Sequence, residues 1–340
     1  MKIGKVSESV LKRSVLRQLK TKNENVLCGA GVGDDCAIFA FSDGANLATC
    51  MQEGVLAVDC NEPTDEVVNY KAEMTAMAQL LQKCINNLAA SGANPFAVQI
   101  TLILPESIEE PQIKNIMAEA EKACAVSGIQ IAGGQTRVSG AVTEAVAVIT
   151  GYGKVQENYR TAHAAKPGQD IVISKWIGLE GTALLAKNNR DKLLGRYPAY
   201  LVEEAEGFDK YLSILPEAAT AMKSGVCAMH DASEGGIFAA LWELAEGAGV
   251  GLTIDLTKLS LRQETVEVCE CCNVNPYELK SGGCLVMTTD DGLGLAAALE
   301  AEGIPAVVVG KLTDSNDRII MNEDEVRYMD RPRTDEIYKM

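Results

Sequence analysis

The strongest constraint on the fold is an alternation of short apolar runs with longer segments that favour helix. Residues 66–91 contain no Gly or Pro and are rich in Ala, Met, Leu and Gln, which predicts a long helix. The apolar runs end at turn signals such as Ser42-Asp43-Gly44, which is typical of strands. In the first half of the chain this pattern predicts strands at residues 36–41, 55–60, 96–104, 129–132 and 143–151, and helices at 66–91 and 109–127.

A second series of strands and helices follows the turn signal Lys166-Pro167-Gly168. Residues 154–168 contain few apolar side chains, so we expect two domains, at residues 1–155 and 165–340. The length agrees, because one hydrophobic core rarely serves more than about 250–300 residues. The second half is predicted to contain strands at 170–175, 226–230, 251–255, 284–289 and 306–310, and helices at 180–188, 199–223, 234–248, 262–272 and 291–302. The pattern as a whole predicts a two-domain α/β protein.

Charge and composition exclude several classes of partner. The formal net charge of −16 repels a polyanion, so nucleic acid is not expected to bind. No apolar stretch reaches 18 residues without a charge and no signal-peptide core is present, so we expect no membrane association. Eleven scattered cysteines are typical of free thiols in a reducing compartment, not of a disulfide framework. These features predict a cytoplasmic protein.

The first 22 residues run against the acidic trend. They carry seven Lys or Arg residues and one acid, Glu8. Leu11, Val15 and Leu19 recur at helical spacing, which predicts a basic amphipathic helix at about residues 8–20. This helix is either a solvated surface helix or an arm that folds back over the acidic protein, onto bound phosphates. A transit peptide is a third alternative, which the sequence supports less.

Two acidic positions in the first half have the chemistry of a phosphate or metal site. Alternate glycines in residues 29–33 let backbone N–H groups approach an anion, and Asp34 and Asp35 offer hard oxygen ligands for Mg²⁺. Asp59 ends an apolar run, where functional side chains often lie. An ordinary Gly-Asp-Asp turn and a turn-forming acid are the structural alternatives.

Two further segments combine amides with small residues. Asn87 lies about one helical turn before Gly92, and Gly133-Gly134-Gln135 directly follows a predicted strand, which suits close backbone approach to a ligand. Tight helix packing with a glycine cap is the alternative for the first segment. Neither a P-loop nor a dinucleotide-binding glycine fingerprint is present.

One strand-to-helix turn in the second half carries titratable groups. His230 and Asp231 precede Ser233 and a predicted helix, so Asp231 or Ser233 is expected to cap that helix. A free helix N-terminus favours an anion, and His230 beside Asp231 has the chemistry of an acid or base near neutral pH. A packed histidine beside a capped helix remains the alternative.

Five ordered segments resemble the superfamily of AIR synthase, thiamine-monophosphate kinase, selenophosphate synthetase and the hydrogenase-maturation HypE proteins. The resemblance is strongest to the HypE-like branch and covers nearly the whole chain. The segments are Gly33-Asp34-Asp35-Cys36-Ala37-Ile38, residues 87–95, Gly133-Gly134-Gln135-Thr136, Trp176-Ile177-Gly178-Leu179-Glu180-Gly181-Thr182-Ala183, and residues 230–236.

The resemblance implies a PurM-like fold, with a ferredoxin-like N-terminal domain that binds ATP and a C-terminal α/β domain. It implies a homodimer that joins the N-terminal sheets, and ATP-dependent activation of a carbamoyl, amide or related oxygen on a small-molecule or carrier-protein substrate. His230 and Asp231 become catalytic candidates, and Asp34, Asp35 and Asp59 become Mg²⁺ ligands. The implied ATP-binding residues are Gly33, Asp34, Asp35, Asp59, Asn87, Gly133, Gly134 and Gln135.

This sequence departs from the family pattern at three places. The family usually has Asp at the position of Asn87 and Asp or His at that of Gln135. HypE proteins end in a cysteine that carries the substrate group, whereas the last cysteine here is Cys284, so we expect no carbamoyl dehydration in that form. Three functions therefore stay open: an ATP-dependent enzyme, a catalytically silent nucleotide-binding scaffold or sensor, and a small-molecule kinase.

Overall fold

The computed structural model describes residues 8–10, 12, 16, 26–29, 31–40, 45–56 and 74–339. Asp59, most of the predicted strand at 55–60 and most of the predicted basic helix lie outside the described residues. A single helical turn, α1, spans Glu8–Val10. In the described part of the chain, no helix is long and apolar enough to cross a membrane.

The first sheet is formed by the N-terminal half of the chain. Its strands are β1 (Val26–Cys28), β2 (Ala37–Ala40), β3 (Asn46–Leu56), β4 (Asn94–Leu104), β5 (Gln130–Val138) and β6 (Ala145–Val155). Their order is β1-β2-β3-β6-β4-β5, and every pair is antiparallel except β4 with β5. The helix α3 (Glu110–Val126) connects that parallel pair, as a crossover must.

One face of the first sheet packs against helices, because its strands alternate buried and partly exposed side chains. Leu102 and Ile149 are fully buried with Leu81 and Leu88 of α2 (Ala76–Ala90). The opposite face carries alternating residues of β3, β4 and β6 that stay partly or fully exposed. This half of the fold therefore presents an open sheet face.

The second sheet is formed by the C-terminal half and is covered by helices on both faces. Its strands are β7 (Asp170–Ser174), β8 (Ala228–Ala232), β9 (Gly251–Asp255), β10 (Cys284–Thr289), β11 (Ala306–Thr313), β12 (Arg318–Asn322) and β13 (Glu325–Tyr328), in the order β13-β12-β9-β11-β7-β10-β8. Every residue of β8 and β10 is buried, as expected for strands covered on both faces. The predicted two-sheet α/β architecture is confirmed.

The described part of the second half contains seven helices: α4 (Leu179–Asn188), α5 (Arg190–Leu194), α6 (Ala199–Glu206), α7 (Leu215–Lys223), α8 (Gly236–Ala248), α9 (Gln263–Cys272) and α10 (Gly292–Ala301). The small residues Ala89 and Ala90 at the end of α2 pack with Ile214 and Ala218 of this layer. Helix α2 thus contacts both halves of the fold and brings its polar side chains between them.

Three expectations about local structure were wrong. The predicted helix at 199–223 is two helices, because a 3₁₀ segment at Gly207–Tyr211 and Pro216 at the start of α7 interrupt it. The predicted strand at 226–230 extends to Ala232, so Asp231 lies in β8 and caps no helix. The cap of α8 is Gly235, whose φ of 86° is left-handed, and no side chain of the turn, including Ser233, caps it.

Candidate functional site

A large cleft lies between the two halves of the fold, with a volume of about 1320 Å³. The first half contributes the loop at 31–35, part of β3 and polar side chains of α2. The second half contributes the end of β8, the start of α8 and residues 331–334 near the end of the chain. Of the site residues predicted from the sequence, Gly33, Asp34, Asp35, Asn87, His230 and Asp231 line this cleft.

The glycine loop is fitted closely against the second half of the fold. Gly33 has a φ of 78°, and a Cβ atom at this position would overlap the backbone oxygen of Glu243 in α8. Both the conformation and the contact therefore require glycine here. The loop in turn fixes Asp34 and Asp35 at the junction of the two halves.

In the described part of the chain, Asp34 and Asp231 in the cleft have carboxylate oxygens without hydrogen-bond partners, as does Glu180 at one oxygen. Among the described residues, Asp34 Oδ1 and both carboxylate oxygens of Asp231 accept no hydrogen bond. The Asp34 and Asp231 side chains are each only 3% exposed. Burial raises the pKa of Asp34, and burial together with the nearby Asp35 carboxylate raises the pKa of Asp231 well above its ordinary value. These oxygens are placed to receive a cation.

His230 lies between two carboxylates and is almost completely buried. Its Nδ1 atom is 2.9 Å from Asp35 Oδ2, and its Nε2 atom is 3.1 Å from Glu243 Oε2. Burial by itself disfavours the charged imidazolium, but Asp35 and Glu243 outweigh it and raise the pKa of His230 to about 10. His230 is therefore protonated at neutral pH, contrary to the expectation of an acid or base that titrates there. It holds Asp35 in place.

An ion pair joins the two halves beside these acids. Lys83 of α2 lies 3.0 Å from Glu180 of α4, and the Glu180 side chain is only 4% exposed. Burial alone raises the pKa of Glu180, but the Lys83 and Lys280 ammonium groups outweigh it and hold that pKa below its ordinary value of 4.5. Glu180 therefore stays ionised between two lysines at neutral pH.

The buried acids allow a test of whether this cleft suits Mg²⁺. Within the described ranges, no group of three or more His, Cys, Asp or Glu side chains is arranged to hold a metal ion. Mg²⁺ in nucleotide sites needs less, because one or two carboxylates bind it together with phosphates and water. The unpartnered oxygens of Asp34 and Asp231 fit that requirement, so the residues present fit Mg²⁺ held jointly with a phosphate ligand.

The remaining predicted site residues have different positions. Asn87 lines the cleft, and its backbone oxygen accepts a hydrogen bond from Cys36 Sγ at 3.2 Å, directly after the glycine loop. Gly133, Gly134 and Gln135 lie on β5, the edge strand at the other end of the sheet from β1, and do not line the cleft of the same chain. Asp59 lies outside the described residues.

Sequence reasoning missed three lysine and glutamate positions in the cleft. Glu180 lies inside one of the five segments that carry the family resemblance, which was an available signal. Lys83 and Lys280 had no such signal, because a lone lysine in a helix or loop is usually solvated. Only the approach of α2 to the second half of the fold distinguishes Lys83 and Lys280 from ordinary solvated lysines.

The first described helical turn packs beside the cleft. Glu8 accepts a hydrogen bond from the indole Nε1 of Trp242 at 2.9 Å, and Lys12 pairs with Glu8 at 2.8 Å and with Glu246. Most of the basic segment lies outside the described residues, so the choice between a solvated helix and an arm that folds back stays a prediction. The contacts of Glu8 and Lys12 are with α8, and Glu8 itself lines the cleft.

Comparison with known proteins identifies a family and relatives that agree with one another. Residues 33–155 match the N-terminal domain of AIR synthase related proteins, and residues 166–322 match their C-terminal domain. The chain is 31% identical over 234 residues to the carbamoyl dehydratase HypE of Rhodobacter capsulatus. This alignment covers 67% of this chain and 66% of that relative, just under two thirds of the relative's length.

Two solved structures show the same fold. A HypE–HypF complex contains a chain with a TM-score of 0.73 and 20% identity, covering 95% of this chain and 99% of the other. A HypE structure in complex with ATP has a TM-score of 0.69 and 18% identity, covering 99% of this chain and 97% of the other. At these identities the likeness concerns the fold.

The Lys83–Glu180 pair gives a stability prediction. Glu180→Gln should destabilise the protein by about 3–5 kcal/mol at pH 7, because it leaves buried Lys83 without its counter-charge. The pKa of Glu180 is lowered on folding, so its contribution is complete above pH 4.5 and is lost as pH falls through the folded pKa.

Thermal and urea unfolding of wild type and Glu180→Gln between pH 7 and pH 3 measures the difference in their free energies of unfolding. This difference should narrow as pH falls below 4.5. An equal difference at every pH would contradict the ionic origin of the effect. Glu270→Gln is the matched control, since Glu270 pairs with Arg196 on the surface, where both side chains are at least half exposed.

Proposed function

This chain belongs to the AIR synthase related family, and we propose that it is an ATP-dependent enzyme that activates a carbamoyl, amide or related oxygen. The cleft supplies the recognition that such a reaction needs. The glycine loop, Asp34 and Lys83 line it from the first half of the fold, and Asp231, Glu180 and Lys280 line it from the second half. Phosphoryl transfer requires mainly the positioning of phosphates and charge stabilisation, so no nucleophilic side chain is needed.

The observation that carries the proposal is the pair of unpartnered carboxylates. A buried carboxylate without a hydrogen bond is costly, and Asp231 has no partner for either oxygen in the described part of the chain. Asp34 adds a third such oxygen from the opposite half of the fold. A divalent cation that arrives with the phosphates of ATP would give these buried oxygens a partner.

We assign the residues of the cleft the following roles. The N–H groups around Gly33 would bind phosphate oxygens, and Asp34 and Asp231 would hold Mg²⁺. That ion would neutralise charge on the phosphates. Protonated His230 keeps Asp35 oriented through the 2.9 Å contact and is a positioning residue. Asp35, Asn87 and, from the family resemblance, Asp59 complete the nucleotide site.

The proposed reaction is a phosphoryl transfer from ATP to the acceptor. The acceptor oxygen attacks the γ-phosphorus of ATP, an oxygen–phosphorus bond forms, and the bond to the β-phosphate oxygen breaks to release ADP. The resulting phosphate ester makes the former carbonyl oxygen a good leaving group. Similarity to the HypE carbamoyl dehydratase, to HypE with ATP and to a HypE–HypF complex supports a reaction of the hydrogenase-maturation type, with a small-molecule or carrier-protein acceptor.

Asp231→Asn tests the nucleotide site directly. The amide is neutral and nearly the same size, and burial already disfavours the charged form of Asp231, so the ligand-free variant should unfold at a temperature no lower than that of wild type. The same change should weaken binding of a non-hydrolysable ATP analogue with Mg²⁺ at least about tenfold and abolish ATP turnover. Calorimetry and thermal unfolding measure both effects.

Asp314→Asn is the matched control, because Asp314 is exposed and lies away from the cleft. It should change neither the unfolding temperature nor nucleotide binding. Unaltered Mg²⁺-ATP binding by Asp231→Asn would contradict the role that we assign to Asp231. Absence of nucleotide binding by the folded wild type would refute the proposed function itself.

A homodimer would complete the site. Gly133, Gly134 and Gln135 lie on the edge strand β5, whose outer side pairs with no described strand of the same chain. Ile103 and Val148 lie on the open face of the first sheet, alternating with the buried Leu102 and Ile149. We propose that two copies join these sheets and that β5 of one copy thereby approaches the nucleotide of the other.

Ile103→Glu tests the dimer. Ile103 lies opposite Arg137 and Val146 in the sheet, so a glutamate is tolerated in the isolated chain, next to Arg137. In a dimer it would place a charge in an apolar interface, and sedimentation should shift to monomer at micromolar concentration. Val126→Glu is the control, because Val126 is 86% exposed on α3; it should leave the dimer intact. A wild-type monomer would overturn the proposal.

A catalytically silent nucleotide-binding protein is the second candidate. It is favoured by Asn87, an amide in the cleft where the family usually has an acid, because an amide oxygen is a weaker ligand for Mg²⁺ than a carboxylate. On this alternative, wild type binds Mg²⁺-ATP without turnover.

Asn87→Asp tests this second candidate. The added carboxylate should tighten Mg²⁺-ATP binding and create or raise ATP hydrolysis several-fold, as measured by phosphate release. Gln135→Asp should do the same only if a dimer brings β5 to the nucleotide. Asn158→Asp, in an exposed turn, is the control. Hydrolysis that is the same in wild type and Asn87→Asp would remove the argument for a silent protein.

A further inference from the structure

Lys280 is a half-buried cation that faces the cleft without an ion-pair partner. In the described part of the chain no carboxylate oxygen lies within 4.0 Å of its ammonium group, whereas Lys83 takes the adjacent carboxylate of Glu180 at 3.0 Å. Glu180, Glu234 and Asp335 attract Lys280 from a greater distance, and Lys83 repels it. Burial, aided by that repulsion, lowers the pKa of Lys280. An anion bound beside Lys280 would offset both the burial of its charge and the repulsion from Lys83.

The C-terminal strap, residues 330–339, is fixed against the same wall by two buried acids. Asp335 accepts hydrogen bonds from the N–H of Gly235 at 2.6 Å and of Ile337 at 2.9 Å, and Glu336 accepts one from the N–H of Asn275 at 3.0 Å. Asp335 and Glu336 are 1% and 2% exposed. Asp335 therefore occupies the N-terminus of α8, where the sequence led us to expect an external anion.

This anchoring places cationic side chains of the strap at the cleft. Residues 331–334 and Tyr338 line it, and the Lys280 ammonium group lies 5.9 Å from the centre of the Tyr338 ring. Arg333 is paired with Asp330 at 3.1 Å. Arg331 has no ion pair or side-chain hydrogen bond with any described residue, so its guanidinium group is available. Arginine suits the bidentate binding of phosphate or carboxylate.

The cations and the unpartnered acids of the cleft come from different segments. Asp34 and Asp231 suit a metal-bound nucleotide, whereas Lys280 and Arg331 suit a bare anion, and the whole chain carries a net charge of −16. Two cations that line the same cleft of such an acidic protein favour anions there. The nucleotide phosphates or the second substrate could supply that anion.

We propose that Lys280 and Arg331 form a binding site for an anionic group, phosphate or carboxylate, on the acceptor substrate. This inference rests on the proposed ATP-dependent function and names the class of its acceptor. The anchored strap holds Arg331 on the wall, and Lys280 contributes from the loop before β10. The acceptor is thereby oriented with its anionic end towards the strap.

Calorimetric titration of the full chain with inorganic phosphate and with malonate tests the site. Each titration is done with and without a saturating non-hydrolysable ATP analogue and Mg²⁺. Wild type should bind one of the two anions with the analogue present, and Lys280→Gln and Arg331→Gln should each weaken that binding at least about tenfold. Lys258→Gln and Arg196→Gln are the matched controls, on exposed ion pairs away from the cleft.

The outcomes separate this inference from the proposed function. Binding of neither anion to wild type, or equal binding by Lys280→Gln and wild type, overturns the inference. If the anion and the ATP analogue compete, and the variants weaken the binding of both to the same extent, Lys280 and Arg331 bind the nucleotide. That result also overturns the inference. If wild type fails to bind the analogue but binds the anion through Lys280, the ATP-dependent function fails and the anion site stands. Thermal unfolding verifies that each variant is folded.

Discussion

The burial of helix α2 on two sides is the interaction on which the arrangement of the cleft depends. Leu81 and Leu88 pack against the first sheet, while the small residues Ala89 and Ala90 allow the second half of the fold to approach closely. The polar side chains between these contacts, Lys83 among them, are therefore enclosed. Apolar burial supplies the free energy that keeps charged groups at this junction, where they would otherwise favour water.

The cleft keeps charges in arrangements that reduce stability unless a ligand is present. Within the part of the chain described, Asp231 lacks partners for both oxygens, Asp34 lacks a partner for one, and no carboxylate oxygen lies within 4.0 Å of the Lys280 ammonium group. By contrast, His230 and Glu180 are each held between two groups of opposite charge. Charged side chains that are paired fix the geometry of the cleft. Charged side chains that lack a partner mark where a ligand is expected. Functional sites commonly retain this kind of local cost.

Much of the fold could be predicted from the sequence because hydrophobic periodicity and turn residues are local properties. The bounds of β9 and β10 were predicted to the residue, and the predicted helix at 109–127 is α3 with one residue fewer at each end. Failures occurred where tertiary contacts override local pattern. The helix predicted at 199–223 is broken, and in the turn after β8 the N–H of Gly235 donates a hydrogen bond to Asp335, a residue 100 positions away. No local pattern can indicate such a contact.

The sequence by itself determined the two α/β series, the acidic character and the glycine, amide and acid segments that identify the family. The tertiary structure decided which of those segments meet. It brought Asp34, Asn87 and Asp231 to one cleft, left Gly133–Gln135 on a distant edge strand, and made His230 a fixed cation. It also added Lys83, Glu180, Lys280 and Arg331. The reason is physical: residue types follow from the chain, but burial, charge pairing and pKa depend on neighbours that only folding supplies.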